Sequence, residues 1–175
     1  MHLAALVRSI PDHPQPGILF RDITTLIKDG PAFAHAIGAL AERYRTGRID
    51  KVAGIEARGF IIGAALAHAL GAGFVPMRKP GKLPAPAVGE DYALEYGTDR
   101  IEMHADAVGV GDRVLVADDL IATGGTAEAA LRILDRCGAE VVECCFMVEL
   151  PELRGRRRIE LLGHGVHSLI TFAGH

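Results

Sequence analysis

Apolar residues recur along this chain with two different periods, and the alternation between them predicts most of the secondary structure. Leu3, Leu6, Val7 and Ile10 fall at helical spacing until Pro11 stops the pattern, which predicts a short N-terminal helix. HPQPGILFRD (13–22) reads as a loop shaped by proline and glycine. Pro31 suits a first helical position, and Phe33, Ile37, Leu40, Ala41 and Tyr44 line one face of the helix that follows. KVAGIEA (51–57) predicts an apolar strand, RGFIIGAALAHAL (58–70) a buried helix and GFVPM (73–77) a second strand, together a βαβ unit.

RKPGKLPAPAVGED (78–91) carries almost nothing that could pack and predicts a mobile loop, after which YALEYG (92–97) and RIEMHA (100–105) alternate as a hairpin would. RVLVADD (113–119) is a nearly continuous apolar run, the pattern of a strand covered on both faces. TAEAALRILDRC (126–137) is its helix, closed by Gly138, and EVVECCFMVEL (140–150) and HSLITF (167–172) predict two further strands. The pattern is α/β, a parallel-sheet core flanked by helices. With no internal repeat and no long linker, residues 1–175 are expected to form a single domain.

Composition narrows the partners more than the fold. A net charge of −3 argues against nucleic acid as a partner, so any bound anion must be held by local geometry. Three cysteines, Cys137, Cys144 and Cys145, are odd in number and lack metal-ligand spacing, which points to a reducing cytoplasm; the adjacent pair reads as packing on a strand. Arg8 and Pro11 interrupt the N-terminal apolar residues, which excludes a secretory core there, and His68, Pro76 and three internal glycines break the most apolar run (59–77), leaving no membrane segment. Arg154, Arg156, Arg157 and Arg158 read as a solvated face, and His164 and His167 as a surface pair with no acidic or cysteine partner nearby. No GxSxG nucleophile elbow occurs.

The chemistry concentrates in VLVADDLIATGGT (114–126). In parallel sheets ligands bind beyond the carboxyl ends of strands, where helix N-termini offer unpaired N–H groups. A Thr-Gly-Gly-Thr turn at such a point can wrap N–H and hydroxyl groups around a phosphate, the glycines permitting close approach. Asp118 and Asp119 would repel a phosphate; they suit sugar hydroxyls or, through water, Mg²⁺. Either feature alone is more often a capped turn or a surface carboxylate, but the combination is far more specific.

VLVADDLIATGGT resembles the signature of the type I phosphoribosyltransferases that use 5-phosphoribosyl-1-diphosphate (PRPP). The likeness, closest to the adenine-specific branch, runs from about IPDHPQPGILFRDIT to VELPELRGRRRI. It implies that fold, with a small N-terminal hood over about residues 1–30 and a mobile loop hairpin over about 78–98. It also implies transfer of phosphoribose from PRPP to adenine, giving AMP and diphosphate. Asp118 and Asp119 would hold the ribose hydroxyls, and Ala122, Thr123, Gly124, Gly125 and Thr126 the 5-phosphate. IEARGF resembles the diphosphate loop, which puts Arg58 on the diphosphate and implies a cis peptide at Glu56–Ala57, although Glu-Ala stands where an Asp/Ser-like pair is usual. The lid would bring Arg78, Lys79 and Lys82 to the diphosphate, with Glu95 and Tyr96 at its far end and Glu95 the candidate for handling the base proton. Leu19, Phe20, Arg21 and Leu150 would surround adenine. Mg²⁺ is implied as cofactor, held mainly by PRPP without a direct protein ligand, and a homodimer is implied as the assembly.

Two rivals fit parts of this pattern. In related 6-oxopurine transferases, which take hypoxanthine, guanine or xanthine, the residue before the Thr-Gly turn is typically an acid reaching N7 of the base; here it is Ala122. A non-enzymatic PRPP-sensing regulator would be expected to carry a DNA-binding element or a basic face, for which the chain has neither the length nor the charge.

Overall fold

The computed structural model describes residues 2–94 and 97–173. A single 3₁₀ turn, Leu3–Leu6, leads into β1 (Arg8–Ile10), which pairs antiparallel with β2 (Phe20–Asp22). The predicted N-terminal helix is therefore cut to one turn. Leu3 and Val7 are buried, so the apolar spacing was sound, but Arg8–Ile10 find a partner strand that local periodicity cannot show. Arg8 pairs with Asp22, and Arg21 donates to Ser9 Oγ at 2.6 Å. Asp22 also accepts from the Thr24 N–H at 2.9 Å, starting the four-residue α1 (Thr24–Ile27).

α2 (Gly30–Tyr44) begins at Asp29, whose carboxylate accepts from the Ala32 N–H at 3.0 Å, with Pro31 in the first turn. β3 (Lys51–Ile55), α3 (Arg58–Leu70) and β4 (Gly73–Met77) form the predicted βαβ unit, Lys51 lying opposite Gly73. The segment predicted as loop to residue 91 gives up its last part to β5 (Ala87–Ala93), which pairs with β6 (Thr98–His104). The sequence hid β5 because only one face packs: Tyr92, Ile101 and Met103 are buried within the cluster that includes Ala130 and Leu134, while Ala87 and Asp91 are exposed.

β7 (Arg113–Ile121) runs two residues past the two aspartates, α4 (Gly125–Arg136) follows, and β8 (Glu140–Glu149) returns. A short α5 (Gly155–Glu160) that the pattern did not predict precedes β9 (Val166–Thr171). The main sheet is parallel, in the order β4-β3-β7-β8-β9, flanked by helices. Along β7, Val114 and Val116 enter the core beneath α4 and the hairpin, while Leu115 and Ala117 enter the one beneath α2 and α3. A strand buried on both faces loses its alternation, which is why the sequence showed a continuous run.

The arginine cluster is only partly the solvated face expected: Arg154, Arg157 and Arg158 are exposed, but Arg156 and Arg158 are tied to carboxylates. Arg156 donates from Nε to the buried Glu149 at 2.8 Å and from a terminal nitrogen to the Val166 carbonyl at 2.6 Å, fixing α5 to β8 and β9; Arg158 pairs with Glu128 of α4 at 3.2 Å. His164 does have an acidic partner, with Nε2 3.1 Å from Asp135 Oδ2. Cys144 and Cys145 are fully buried packing residues. Among the described residues, no helix is long and apolar enough to cross a membrane.

Candidate active site

The carboxyl ends of β3, β7 and β8 open beside the β1–β2 flap onto a cavity of about 790 Å³. Its lining brings together the apolar Leu19, Phe20, Leu150 and Leu153, the backbone around Arg21, and the polar or charged Arg58, Lys79, Asp118, Asp119, Thr123 and Thr126, with Ala122 beside them. The His13 ring meets Phe20 edge-on at 5.1 Å, and the Arg58 guanidinium lies 5.5 Å from the centre of the Phe20 ring. The Arg21 side chain reaches out of the cavity to Ser9 and stacks 4.2 Å from the Phe172 ring centre, so its backbone is what the cavity wall can present there.

β7 delivers its two aspartates to opposite neighbours. Asp119 is buried and ion-paired to Arg58. Asp118 is half-buried and accepts from the Asp119 N–H at 2.8 Å. Burial, then the adjacent Asp119 charge, pushes the Asp118 carboxyl well above its ordinary range. α3 starts close enough to make this contact because Gly59 has no side chain: a Cβ there would lie 2.8 Å from Asp118 Oδ1 and 2.9 Å from the Ala117 carbonyl.

Two strand-to-helix turns line the cavity. After β3, the Glu56–Ala57 peptide is cis, as the resemblance implied, and α3 opens with Arg58. After β7, the chain turns through Ala122, Thr123 and Gly124, the last at φ +79°, into α4, whose first residues are Gly125 and Thr126. Among the described residues the N–H groups of Thr123 and Gly124 donate to no protein acceptor. They are free for an anion, beside the first turn of a twelve-residue helix.

The loop cations are not all in the cavity. Lys79 lines it, donating to Tyr92 Oη at 2.7 Å and pairing with Asp99. Arg78 and Lys82 are instead gathered by Glu56, at 3.4 Å and 2.7 Å. The Lys79 N–H donates to the same carboxylate at 2.9 Å. Burial alone would push Glu56 up, but Lys82, the Lys79 N–H and Arg78 together hold it below the ordinary carboxylate range. Glu56 escaped sequence reasoning, although its place just beyond an apolar strand is the same signal that drew notice to Asp118 and Asp119. Glu95 and Tyr96 lie outside the described residues. Among the described residues no three His, Cys, Asp or Glu side chains converge as a metal site.

Residues 24–162 match the phosphoribosyl transferase domain. An adenine phosphoribosyltransferase of Methylobacillus flagellatus is 55% identical over 172 residues, covering 98% of each chain. The crystal structure of adenine phosphoribosyltransferase from Rhodothermus marinus superposes with a TM-score of 0.92 at 52% identity, covering 97% of this chain and 96% of that one. The Saccharomyces cerevisiae adenine phosphoribosyltransferase, solved with an imino-altritol bisphosphate and adenine, superposes at 0.89 with 38% identity, covering 95% of each.

Proposed function

This chain belongs to the phosphoribosyltransferase family, and on that premise we propose a working account of how it transfers phosphoribose from PRPP to N9 of adenine, giving AMP and diphosphate in purine salvage. The observation that carries the assignment is that one cavity is lined by apolar residues, by an anion-binding turn and by two carboxylates. A flat base, a diol and a phosphate need those three surroundings in one cavity.

Leu19, Phe20 and Leu150 hold the base, with the Arg21 backbone at its edge. Thr123, Gly124, Gly125 and Thr126, with Ala122 leading in, receive the 5-phosphate on N–H groups and hydroxyls. Asp118 and Asp119 accept from the ribose hydroxyls. Breaking the anomeric C–O bond leaves positive charge on the ring and negative charge on the diphosphate, and the site must stabilise both. The aspartates favour the cationic ring, while Arg58 and Lys79, joined by Arg78 and Lys82 when they leave Glu56, take up the diphosphate charge. Closure of the 78–98 segment keeps water from the ring, and Glu95 and Tyr96 complete the lid, Glu95 as the group that handles the base proton.

The strand end suits Mg²⁺ carried on substrate oxygens rather than a resident protein-bound ion: Asp119 is taken by Arg58, which leaves Asp118 as a single carboxyl. Asp118 and Asp119 would hold such an ion through water, and when bound it supplies charge neutralisation at the diphosphate. The whole chain is taken as one catalytic unit, working as a cytoplasmic homodimer. A monomer in sedimentation at micromolar concentration would overturn that assembly.

The deciding experiment is a competition between adenine, hypoxanthine and guanine at saturating PRPP. Ala122 offers only a methyl group where an acid would meet N7 of a 6-oxopurine. We expect kcat/KM for adenine at least about a hundredfold higher, roughly 2.7 kcal/mol of differential transition-state binding. Comparable use of hypoxanthine would sink the adenine assignment; no transfer to any base would sink the enzyme.

A further inference from the structure

The short helix α5 touches no part of the ligand cavity, yet it is packed against the turn that receives the phosphate. Gly155, its first residue, donates its N–H to the Ala122 carbonyl at 3.0 Å. The approach is closer than any side chain allows: a Cβ on Gly155 would overlap the Ala122 oxygen and lie 2.7 Å from Ile121 Cγ1 and 3.0 Å from the Gly124 nitrogen. The fit is mutual, since a Cβ on Gly124 would lie 3.0 Å from Gly155 Cα. Farther along α5, Arg158 crosses to α4, pairing with Glu128 at 3.2 Å and passing over Gly125, where a Cβ would come within 3.2 Å of its Nη1. Arg156, between them, ties α5 to Glu149 and the Val166 carbonyl.

We infer that α5 is a clamp on the phosphate turn, with Gly155 as a positioning residue that sets the direction of the Thr123 N–H. The Ala122–Thr123 peptide is trans, so its carbonyl and its N–H point to opposite sides of one rigid plane. Holding the Ala122 carbonyl toward Gly155 aims the Thr123 N–H away from α5, into the turn, before any anion arrives. A free turn of this glycine content would have to order its peptide planes on binding, and that ordering weakens affinity. Arg158 sets the second edge by fixing the start of α4. The clamp rests on the assignment of residues 122–126 to the 5-phosphate.

The test uses the intact protein and ribose 5-phosphate, which carries the phosphate without base or diphosphate. Gly155→Ala forces the turn to move, and ribose 5-phosphate should bind about tenfold more weakly, with KM for PRPP rising in parallel. Adenine KM at saturating PRPP should stay within about twofold, because the base end gains no new contact. Arg158 is exposed, so Arg158→Ala should fold even if Gly155→Ala does not. It should weaken ribose 5-phosphate about threefold, while Arg158→Met, which keeps the bulk over Gly125, should stay within about 1.5-fold of the parent. Parent-like ribose 5-phosphate binding by folded Gly155→Ala or by Arg158→Ala would overturn the clamp, as would an equal loss in adenine KM. Thr126→Val separates this failure from failure of the site itself. If it leaves ribose 5-phosphate binding intact, the phosphate assignment is wrong; if it weakens binding about tenfold while the clamp variants change nothing, only the clamp falls.

Discussion

The turns after β3 and after β7 occupy equivalent places at the ends of adjacent parallel strands, each leading into a helix, and they are built on opposite principles. The β3 turn is made of charges already in use: Arg58 on Asp119, and Arg78 and Lys82 on Glu56. The β7 turn has no charged side chain between Leu120 and Ala127 and presents backbone N–H groups instead. On the proposed assignment of these residues to the 5-phosphate and the diphosphate, the chemistry explains the contrast. The 5-phosphate is common to substrate and product, so a grip fixed in the backbone serves throughout. The diphosphate arrives and leaves, so its cations need somewhere to rest when it is gone. Ion pairs with internal carboxylates supply that resting place, at the cost of making each incoming diphosphate compete with them.

The comparison breaks most sharply at Arg58. Arg58→Ala should lower kcat by about 10²–10³-fold, because this cation meets charge that develops as the diphosphate departs. AMP binding should change by less than about threefold, since AMP carries no diphosphate. Equal losses in turnover and AMP affinity would place Arg58 in general binding instead. On the other turn, Thr126→Val should raise KM for PRPP and Kd for AMP together, by roughly tenfold, for one lost hydrogen bond to a charged phosphate. A kcat effect without a change in AMP affinity would contradict a grip shared by substrate and product.

These two turns were also unequally legible in the sequence. The β7 turn could be read almost in full, because strand, aspartates, glycines and helix start are contiguous and each residue type has a local physical reason to be there. The β3 turn could not. Arg58 was visible, but Glu56 acquires its meaning only when residues 78 and 82 return from the loop to meet it. β1 and β2 were missed for the same reason: strands of three residues exist only through each other and are too short to show a period of their own. α5 was hidden by its own composition, since an arginine-rich stretch reads as solvated until Glu149 and Glu128 are seen beneath it. The main sheet needed no such knowledge, because residues buried on both faces declare themselves as continuous apolar runs.

A smaller effect tests whether the resting place is real. In Glu56→Gln, the Lys79 N–H keeps an acceptor, but Lys82 and Arg78 lose their counter-charge. Diphosphate then competes with nothing for those two cations, and its inhibition constant should fall about threefold, the scale of a partly exposed ion pair. Added salt screens the same pairs, so the gap between parent and variant should narrow as ionic strength rises. An inhibition constant that rises instead would mean that Glu56 organises the cations for the diphosphate rather than withholding them.

The smallest expected effect is on stability, and its direction follows from which turn titrates. The folded protein holds Glu56 below its ordinary value of 4.5, through cations that outweigh the cost of burial. A carboxyl with a depressed folded pKa contributes stability above its unfolded value, and that contribution disappears as pH falls through the folded one. At neutral pH the parent should therefore melt slightly above Glu56→Gln, by about 1–3 °C for a pair worth up to roughly 1 kcal/mol in a chain of this size. The gap should close on acidification below about pH 4.5. Other carboxylates titrate in the same range in both proteins, so the difference between the two melting curves isolates this one. Thr126→Val changes no titrating group, so whatever offset it shows at neutral pH should persist unchanged over the same acid range. A Glu56→Gln offset equally flat with pH would mean that the loop cations do not rest on Glu56 in solution, and the contrast between a charge-built and a backbone-built turn would lose its first half.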